Sequence, residues 1–123
     1  MKKILVVDDH ADIRKLVRMT LEFEDYDVRE LADAPAAVRA AGEWLPDLVL
    51  LDVMMPGDYD GLEACRRLKS AGALARPHVM LLSARGQARD REAGLVAGAD
   101  AYLVKPFSPL QLLDSIAALW RPA

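Results

Sequence analysis

The sequence predicts an α/β fold, a doubly wound five-stranded parallel sheet. Three observations carry this. Apolar segments of strand length alternate five times with segments of helical periodicity, from Lys3 to Ala117. The strand segments are short and apolar on successive residues, as in Leu48-Val49-Leu50-Leu51, which belongs in a sheet covered on both faces. Polar residues follow directly on these runs: Asp8 and Asp9, Asp52, Ser83 and Lys105. Right-handed crossovers leave few topologies, and in a parallel sheet all strand C-terminal ends come to one edge.

Taken in order, Lys3 to Val7 is a short β-branched run ending at Asp8-Asp9 and reads as the first strand. Ile13, Leu16, Val17, Thr20 and Leu21 recur at i, i+3, i+4, i+7 and i+8, one face of an amphipathic helix. Tyr26 to Glu30 reads as a short, weakly apolar strand. Pro35 is tolerated in a first helical turn, Ala36 to Leu45 is alanine-rich and helical, and Pro46 stops it. Leu48 to Asp52 is the central strand. Leu62, Cys65 and Leu68 mark a third helix, with Gly72 expected at its end. Val79 to Ser83 is the next strand, after Pro77. Gln87 to Ala97 is helical, and Gly98 suits a left-handed C-terminal cap. Tyr102 to Val104 is the last strand. Lys105-Pro106 turns the chain, and Leu110, Leu113, Ile116 and Ala117 give a final amphipathic helix. Trp44 and Trp120 close helices and are expected to cover the core edge.

Composition narrows the function. A chain of 123 residues fits one domain with a single core. The net charge of -3 argues against direct nucleic-acid binding by this domain, which would want a basic face. Cys65 is the only cysteine, so an internal disulfide and a cysteine-rich zinc site are excluded. No apolar run approaches the roughly 20 residues of a membrane span, and the run after Lys2-Lys3 is too short for a secretory leader. A cytoplasmic protein is expected, with no membrane partner. No linker or second domain is visible, which points to a stand-alone protein.

The strand-end residues define a chemistry. Three carboxylates in one pocket repel one another, so at least one should have a raised pKa. A divalent cation relieves this, and oxygen-only ligands favour Mg²⁺. Lys105 supplies a compact positive charge for a phosphoryl or carboxylate oxygen, and Ser83 a hydroxyl for another. Cation, lysine and hydroxyl together stabilise a transferring phosphoryl group. Asp52 is the candidate nucleophile, since carboxylates form aspartyl-phosphate intermediates. Singly, each residue has a plainer explanation. Asp8-Asp9 can cap a helix, Ser83 can be a turn residue and Lys105 a solvated lysine. Their joint placement at four strand ends is what carries the argument. His10, beside two acids, reads as a loop residue more than as a metal ligand. His78 reads as structural and Cys65 as core.

With VVDD near the N-terminus, LLDVMMPG in the middle, LLSA, GADAYLVKPF and the five-unit alternation in view, the chain resembles a response-regulator receiver domain of two-component signalling. The resemblance covers essentially the whole chain. It implies a flavodoxin-like (βα)5 fold with strand order 2-1-3-4-5. It also implies Asp52 as phosphoacceptor and Mg²⁺ (or Mn²⁺) held by Asp9, Asp52 and the Met54 carbonyl, with Asp8 acting through water. Lys105, Ser83 and the Ala84 backbone would bind the phosphoryl group. The bond from Lys105 to Pro106 would be cis, a form that costs far less before proline than elsewhere. Ser83 and Tyr102 would form the switch pair, coupling the site to the face of the fourth helix, fifth strand and fifth helix. The implied donor is a histidine kinase or phosphotransfer protein, and the downstream target is unknown.

Departures from the family pattern refine these expectations. PGDYDG carries two residues, Asp58 and Tyr59, where the family usually has one, and the loop is expected to bulge outward without moving Asp52. Met54 and Arg85, both large, are expected to shield the acyl phosphate from water. Ala101, Gln111 and Ser115 stand where the family's transcription-factor dimers commonly have an acid, an acid and an arginine, so a monomer or weak dimer is expected. No Gly-rich GKS or GKT loop is present, which argues against direct use of ATP. Such a domain catalyses only its own modification and is not a conventional enzyme. Rival readings are a receiver fold that works without phosphorylation, a receiver cut from a longer DNA-binding or enzymatic regulator, a haloacid dehalogenase-type hydrolase and a flavodoxin-like electron carrier. The hydrolase wants a second acid at the position of Met54. The carrier wants a Ser/Thr/Gly-rich phosphate loop where Asp8-Asp9 stand.

Overall fold

The computed structural model describes residues 1–70 and 76–121. The expected end of the third helix at Gly72 lies outside the described residues. Strands and helices alternate as β1 (Lys2–Val7), α1 (Ala11–Leu21), β2 (Tyr26–Leu31), α2 (Ala34–Trp44), β3 (Leu48–Asp52), α3 (Gly61–Lys69), β4 (His78–Ser83), α4 (Ala88–Val96), β5 (Ala101–Val104) and α5 (Pro109–Leu119). The sheet is parallel with order β2-β1-β3-β4-β5. That is the flavodoxin-like order the resemblance implied.

The central strands alternate between two apolar layers. Leu5, Val7, Val49, Leu51, Val79 and Leu81 face a core completed by Ala34, Ala37, Ala41 and Trp44 of α2 and by Ala64, Cys65 and Leu68 of α3. Ile4, Val6, Leu48, Leu50, Met80 and Leu82 face the other, completed by Val17 and Leu21 of α1 and by Leu112 and Ile116 of α5. The period of two in a strand makes this division, and the two layers explain why the central strands read as continuous apolar runs. The edge strands differ. β2 alternates between half-buried and exposed residues, and β5 is half-buried throughout. The expectation that no strand has a wet face therefore holds only for β1, β3 and β4.

Capping residues set the boundaries that apolar periodicity misplaced. Asp33 accepts a hydrogen bond from the Ala36 N–H at 2.8 Å, so α2 starts two residues before the expected Ala36. It ends at Trp44, because Leu45 turns left-handed at φ 55° ahead of Pro46. Gln87 and Ala97 cap α4 and lie outside it. Gly98 adopts the expected positive φ, 98°. Ser108 and Gln111 form a reciprocal capping box at the start of α5. Trp44 packs into the α2–α3 layer, and Trp120 closes α5 against the other layer beside Tyr26 and His78.

Candidate functional site: an acidic pocket at the strand ends

The C-terminal ends of β1, β3, β4 and β5 converge, as a parallel sheet requires. Asp8 follows β1, Asp52 ends β3, Ser83 ends β4 and Lys105 follows β5. Four polar or charged residues are buried among the described residues, and three of them are Asp8, Asp52 and Ser83. The fourth, Thr20, bonds back to its own helix. Buried polarity is thus concentrated at one place, and buried charge needs a partner.

Lys105 is that partner. Its Nζ lies 2.8 Å from Asp8 Oδ2 and 3.4 Å from Asp52 Oδ1. Asp8 is also held by the His10 N–H, which donates to Oδ1 at 2.9 Å. Burial alone would raise the Asp8 carboxyl. The Lys105 hydrogen bond, the His10 N–H and the lysine charge outweigh it, and the carboxyl sits below its ordinary range. Asp52 goes the other way. Burial first, and then the negative charge of Asp8, push it up against the weaker pull of Lys105. Burial opposes the charge on Lys105, but hydrogen bonding to Asp8 and the charges of both acids raise its pKa. The raised carboxyl expected from three crowded acids is therefore Asp52.

Asp9 and His10 complete the cluster. One ligand atom each of Asp8, Asp9, His10 and Asp52 falls within 4.8 Å of all the others. Asp9 Oδ1 is buried with no hydrogen-bond partner, an orphaned acceptor among acids that a divalent cation would satisfy. The donor set is mostly carboxylate oxygen, so the residues present fit a hard cation.

The loops place the remaining expected residues. The Ser83 hydroxyl accepts from the Arg85 N–H at 3.0 Å, and its carbonyl accepts from the Lys105 N–H at 2.8 Å. The Tyr102 hydroxyl donates to the Arg85 carbonyl at 2.7 Å. Ser83 and Tyr102 thus both hold the loop after β4. Met54, half exposed, and Ala84 line an open cavity of about 320 Å³ with His10, Ile13, Asp52 and Lys105. Arg85 lines a neighbouring hollow with Gly86, Gln87 and Arg89 instead. The Lys105–Pro106 peptide bond is cis. Larger cavities occur, but the one of about 510 Å³ lies at the opposite edge of the sheet around Lys2, Asp47, His78 and Trp120, away from the acids.

The residue after Asp58 does not loop free. Tyr59 folds back half-buried onto the α2–α3 core, and the Arg67 guanidinium stacks 3.9 Å from its ring. The outward bulge expected of this loop is confined to Pro56, Gly57 and Asp58, which are exposed. Asp60 then caps α3 through the Glu63 N–H. Gly61 packs so close that a Cβ there would stand 2.0 Å from the Asp52 carbonyl oxygen. Sequence reasoning missed this contact, whose signal was a glycine one residue after a capping aspartate. It also missed Arg14, whose Nη1 donates to the Asp8 carbonyl at 2.6 Å from the first turn of α1.

Known proteins agree with this architecture. Residues 4–117 match the family described as the response regulator receiver domain. The chain is 45% identical over 121 residues to the transcriptional regulatory protein ResD of Bacillus subtilis, covering 98% of this chain and 49% of ResD. It is 42% identical over 120 residues to the phosphate regulon transcriptional regulatory protein PhoB of Escherichia coli, covering 98% of this chain and 52% of PhoB. It spans about half the length of these curated relatives. The high-resolution structure of chemotaxis response regulator CheY4 of Vibrio cholerae superposes with a TM-score of 0.88 at 30% identity, over 97% of this chain and 98% of that one. With the strand order, the acidic pocket and the family match in agreement, the chain belongs to the response regulator receiver domain family of two-component systems.

Proposed function

We propose that this chain accepts a phosphoryl group on Asp52 from the phosphohistidine of a histidine kinase or phosphotransfer protein, and that the modification changes its affinity for a partner. The single observation that supports this most is the buried Asp52 carboxylate, held 3.4 Å from Lys105 inside a cluster of acids. In the transfer, an Asp52 carboxylate oxygen bonds to phosphorus as the phosphorus–nitrogen bond breaks. The bonding pair leaves with the imidazole.

The chain's own residues divide the work. Lys105 meets the charge on the phosphoryl oxygens. The Ser83 hydroxyl and the Ala84 N–H would bind those oxygens. Asp9, Asp52 and the Met54 carbonyl would hold Mg²⁺ or Mn²⁺, with Asp8 acting through water. The cation supplies neutralisation of carboxylate and phosphoryl charge. Asp8 already has both its oxygens engaged by His10 and Lys105, which suits an indirect role.

For readout, the Ser83 hydroxyl would turn from the Arg85 N–H to the phosphoryl group. The loop carrying Arg85, to which Tyr102 is bonded, would move with it. The change reaches α4, β5 and α5, a two-state local event with a remote effect. Met54 at the pocket mouth is placed to shield the acyl phosphate, and we extend that role to Arg85 in the adjoining hollow. ResD and PhoB are named as regulators of transcription, and control of transcription is the use of the signal proposed here. With Ala101, Gln111 and Ser115 on the β5–α5 face, dimerisation through charged pairs at those positions is not expected. Light scattering before and after phosphorylation checks this.

The test is intact mass after incubation with acetyl phosphate, with and without Mg²⁺, for wild type and Asp52→Asn. A Mg²⁺-dependent gain of one phosphoryl group in wild type alone is expected. A gain that persists in Asp52→Asn overturns the assignment. No gain from acetyl phosphate or from a phosphorylated histidine kinase moves the function to a phosphorylation-independent interaction module.

A further inference from the structure

His10, expected to be a loop residue more than a metal ligand, lies in the loop between β1 and α1, and its surroundings there bear on the second role. It occupies the N-cap of α1 but makes no side-chain cap hydrogen bond. Its ring turns away from the helix and toward the acids, with Nδ1 3.1 Å from Asp8 Oδ1 and 3.2 Å from Asp9 Oδ1. The shorter approach is a hydrogen bond. The longer one is not, since Asp9 Oδ1 has no hydrogen-bond partner despite the nearby nitrogen.

Those spacings are informative. An octahedral cation with ligands at roughly 2.0–2.1 Å sets adjacent ligand atoms about 3.0 Å apart. His10 Nδ1 and Asp9 Oδ1, at 3.2 Å, are close to that edge length. The two atoms face the same space as Asp52. The His10 side chain is 66% exposed, so the ring can tilt onto an entering ion without disturbing the core.

We propose that His10 Nδ1, releasing to solvent the proton that it shares with Asp8, is a nitrogen ligand of the cation pocket and tunes it toward first-row transition ions of the Co²⁺ and Ni²⁺ class. The inference rests on the reading of the acids as a cation site. Carboxylate, carbonyl and water suit Mg²⁺, whereas imidazole adds little to Mg²⁺ and much to Co²⁺, Ni²⁺ or Zn²⁺. An all-oxygen pocket would not separate these ions in this way. One with His10 in it binds the borderline ions preferentially, and the cellular supply of each then decides which occupies it.

The experiment is isothermal titration of Mg²⁺ and of Co²⁺ into the whole chain, for wild type, His10→Ala and Asp9→Asn. Proton NMR of the Co²⁺-loaded protein runs alongside. The quantity read is the ratio of Co²⁺ to Mg²⁺ affinity, which a general loosening of the pocket does not change. His10→Ala is expected to lower that ratio by about tenfold or more. It should also remove a set of strongly shifted imidazole proton resonances present in wild type. Thermal unfolding of His10→Ala confirms that the variant folds. An unchanged ratio, or shifted ring resonances that survive His10→Ala, overturns the role of His10 while leaving the cation site in place. If neither ion binds, or binding ignores Asp9→Asn, the cation site itself fails and His10 with it.

Discussion

Lys105 is bonded more closely to Asp8 than to Asp52, at 2.8 Å against 3.4 Å. The lysine is therefore anchored on an acid one strand away from the proposed acceptor and only leans toward it. Asp52 is thus less closely paired than Asp8, and burial first, then the charge of Asp8, hold its pKa up. A carboxylate less committed to a cation is freer to act as nucleophile.

Removing that cation isolates two buried acids. Lys105→Ala is expected to cost about 2 kcal/mol at pH 8 in EDTA, since an ion pair broken from one side leaves uncompensated charge. The loss should shrink as pH falls toward 4, because without the lysine burial is left to raise both carboxyls and the variant takes up protons sooner than wild type. Urea unfolding at the two pH values checks it.

Asp52 works against the fold at neutral pH. Its folded pKa is raised, so its contribution to stability falls as pH rises from about 3.9 through the raised value. Asp8 has the opposite sign. Its pKa is lowered, so its contribution is present above about 3.9 and is lost as pH falls through the lowered value. Asp52→Asn is accordingly expected to stabilise the protein by about 1 kcal/mol at pH 7 in EDTA and to change little below pH 4. Thermal unfolding of both proteins across that range measures it.

Gly61 tolerates no side chain. A methyl group 2.0 Å from the Asp52 carbonyl oxygen forces α3 or β3 to move. Gly61→Ala is expected to cost about 3 kcal/mol or more in urea unfolding. It should also lower the yield of phosphorylated protein, because the displaced backbone carries the acceptor.

Tyr102→Phe removes the hydroxyl bond to the Arg85 carbonyl. A loss of about 0.5–1 kcal/mol is expected. Amide hydrogen exchange should quicken at residues 85–87 while β4 stays protected. Unchanged exchange there would show that Tyr102 does not hold the loop.

Cys65 reports on global opening. It is buried in the α2–α3 layer, and desolvation pushes its thiol up to about 11. At pH 8 it is expected to ignore a thiol-labelling reagent in the native protein and to react only as urea unfolds it. Labelling at the native rate of a free thiol would contradict the packing.

These cases also mark what the residues themselves disclosed. Leu48 to Asp52 and Val79 to Ser83 were legible because buried parallel strands leave continuous apolar runs, and an acid or serine at the end of each stands out. The joint position of Asp8, Asp52, Ser83 and Lys105 followed from the parallel arrangement alone. The start of α2 did not, since apolar periodicity is silent about the Asp33 side chain that begins it. Which acid Lys105 prefers, and the turn of the His10 ring, depend on differences of a few tenths of an ångström between loops from separate strands. Local spacing carries no such information. Nor does spacing reveal that Tyr59 folds inward, because its partner, Arg67, stands two turns along a helix whose face the sequence leaves open.

The close approach of Gly61 to Asp52 gives the intervening segment one immovable end. Material added between Pro56 and Asp60 cannot push α3 outward, since that helix begins against the acceptor's own peptide group. It has to be taken up on the solvent side, as Asp58 is, or folded down over α3, as Tyr59 is. The segment is therefore a place where recognition of other molecules can diversify in length and composition while the reaction centre keeps its geometry. A short peptide tag grafted between Gly57 and Asp58 should leave phosphorylation of the domain unaltered.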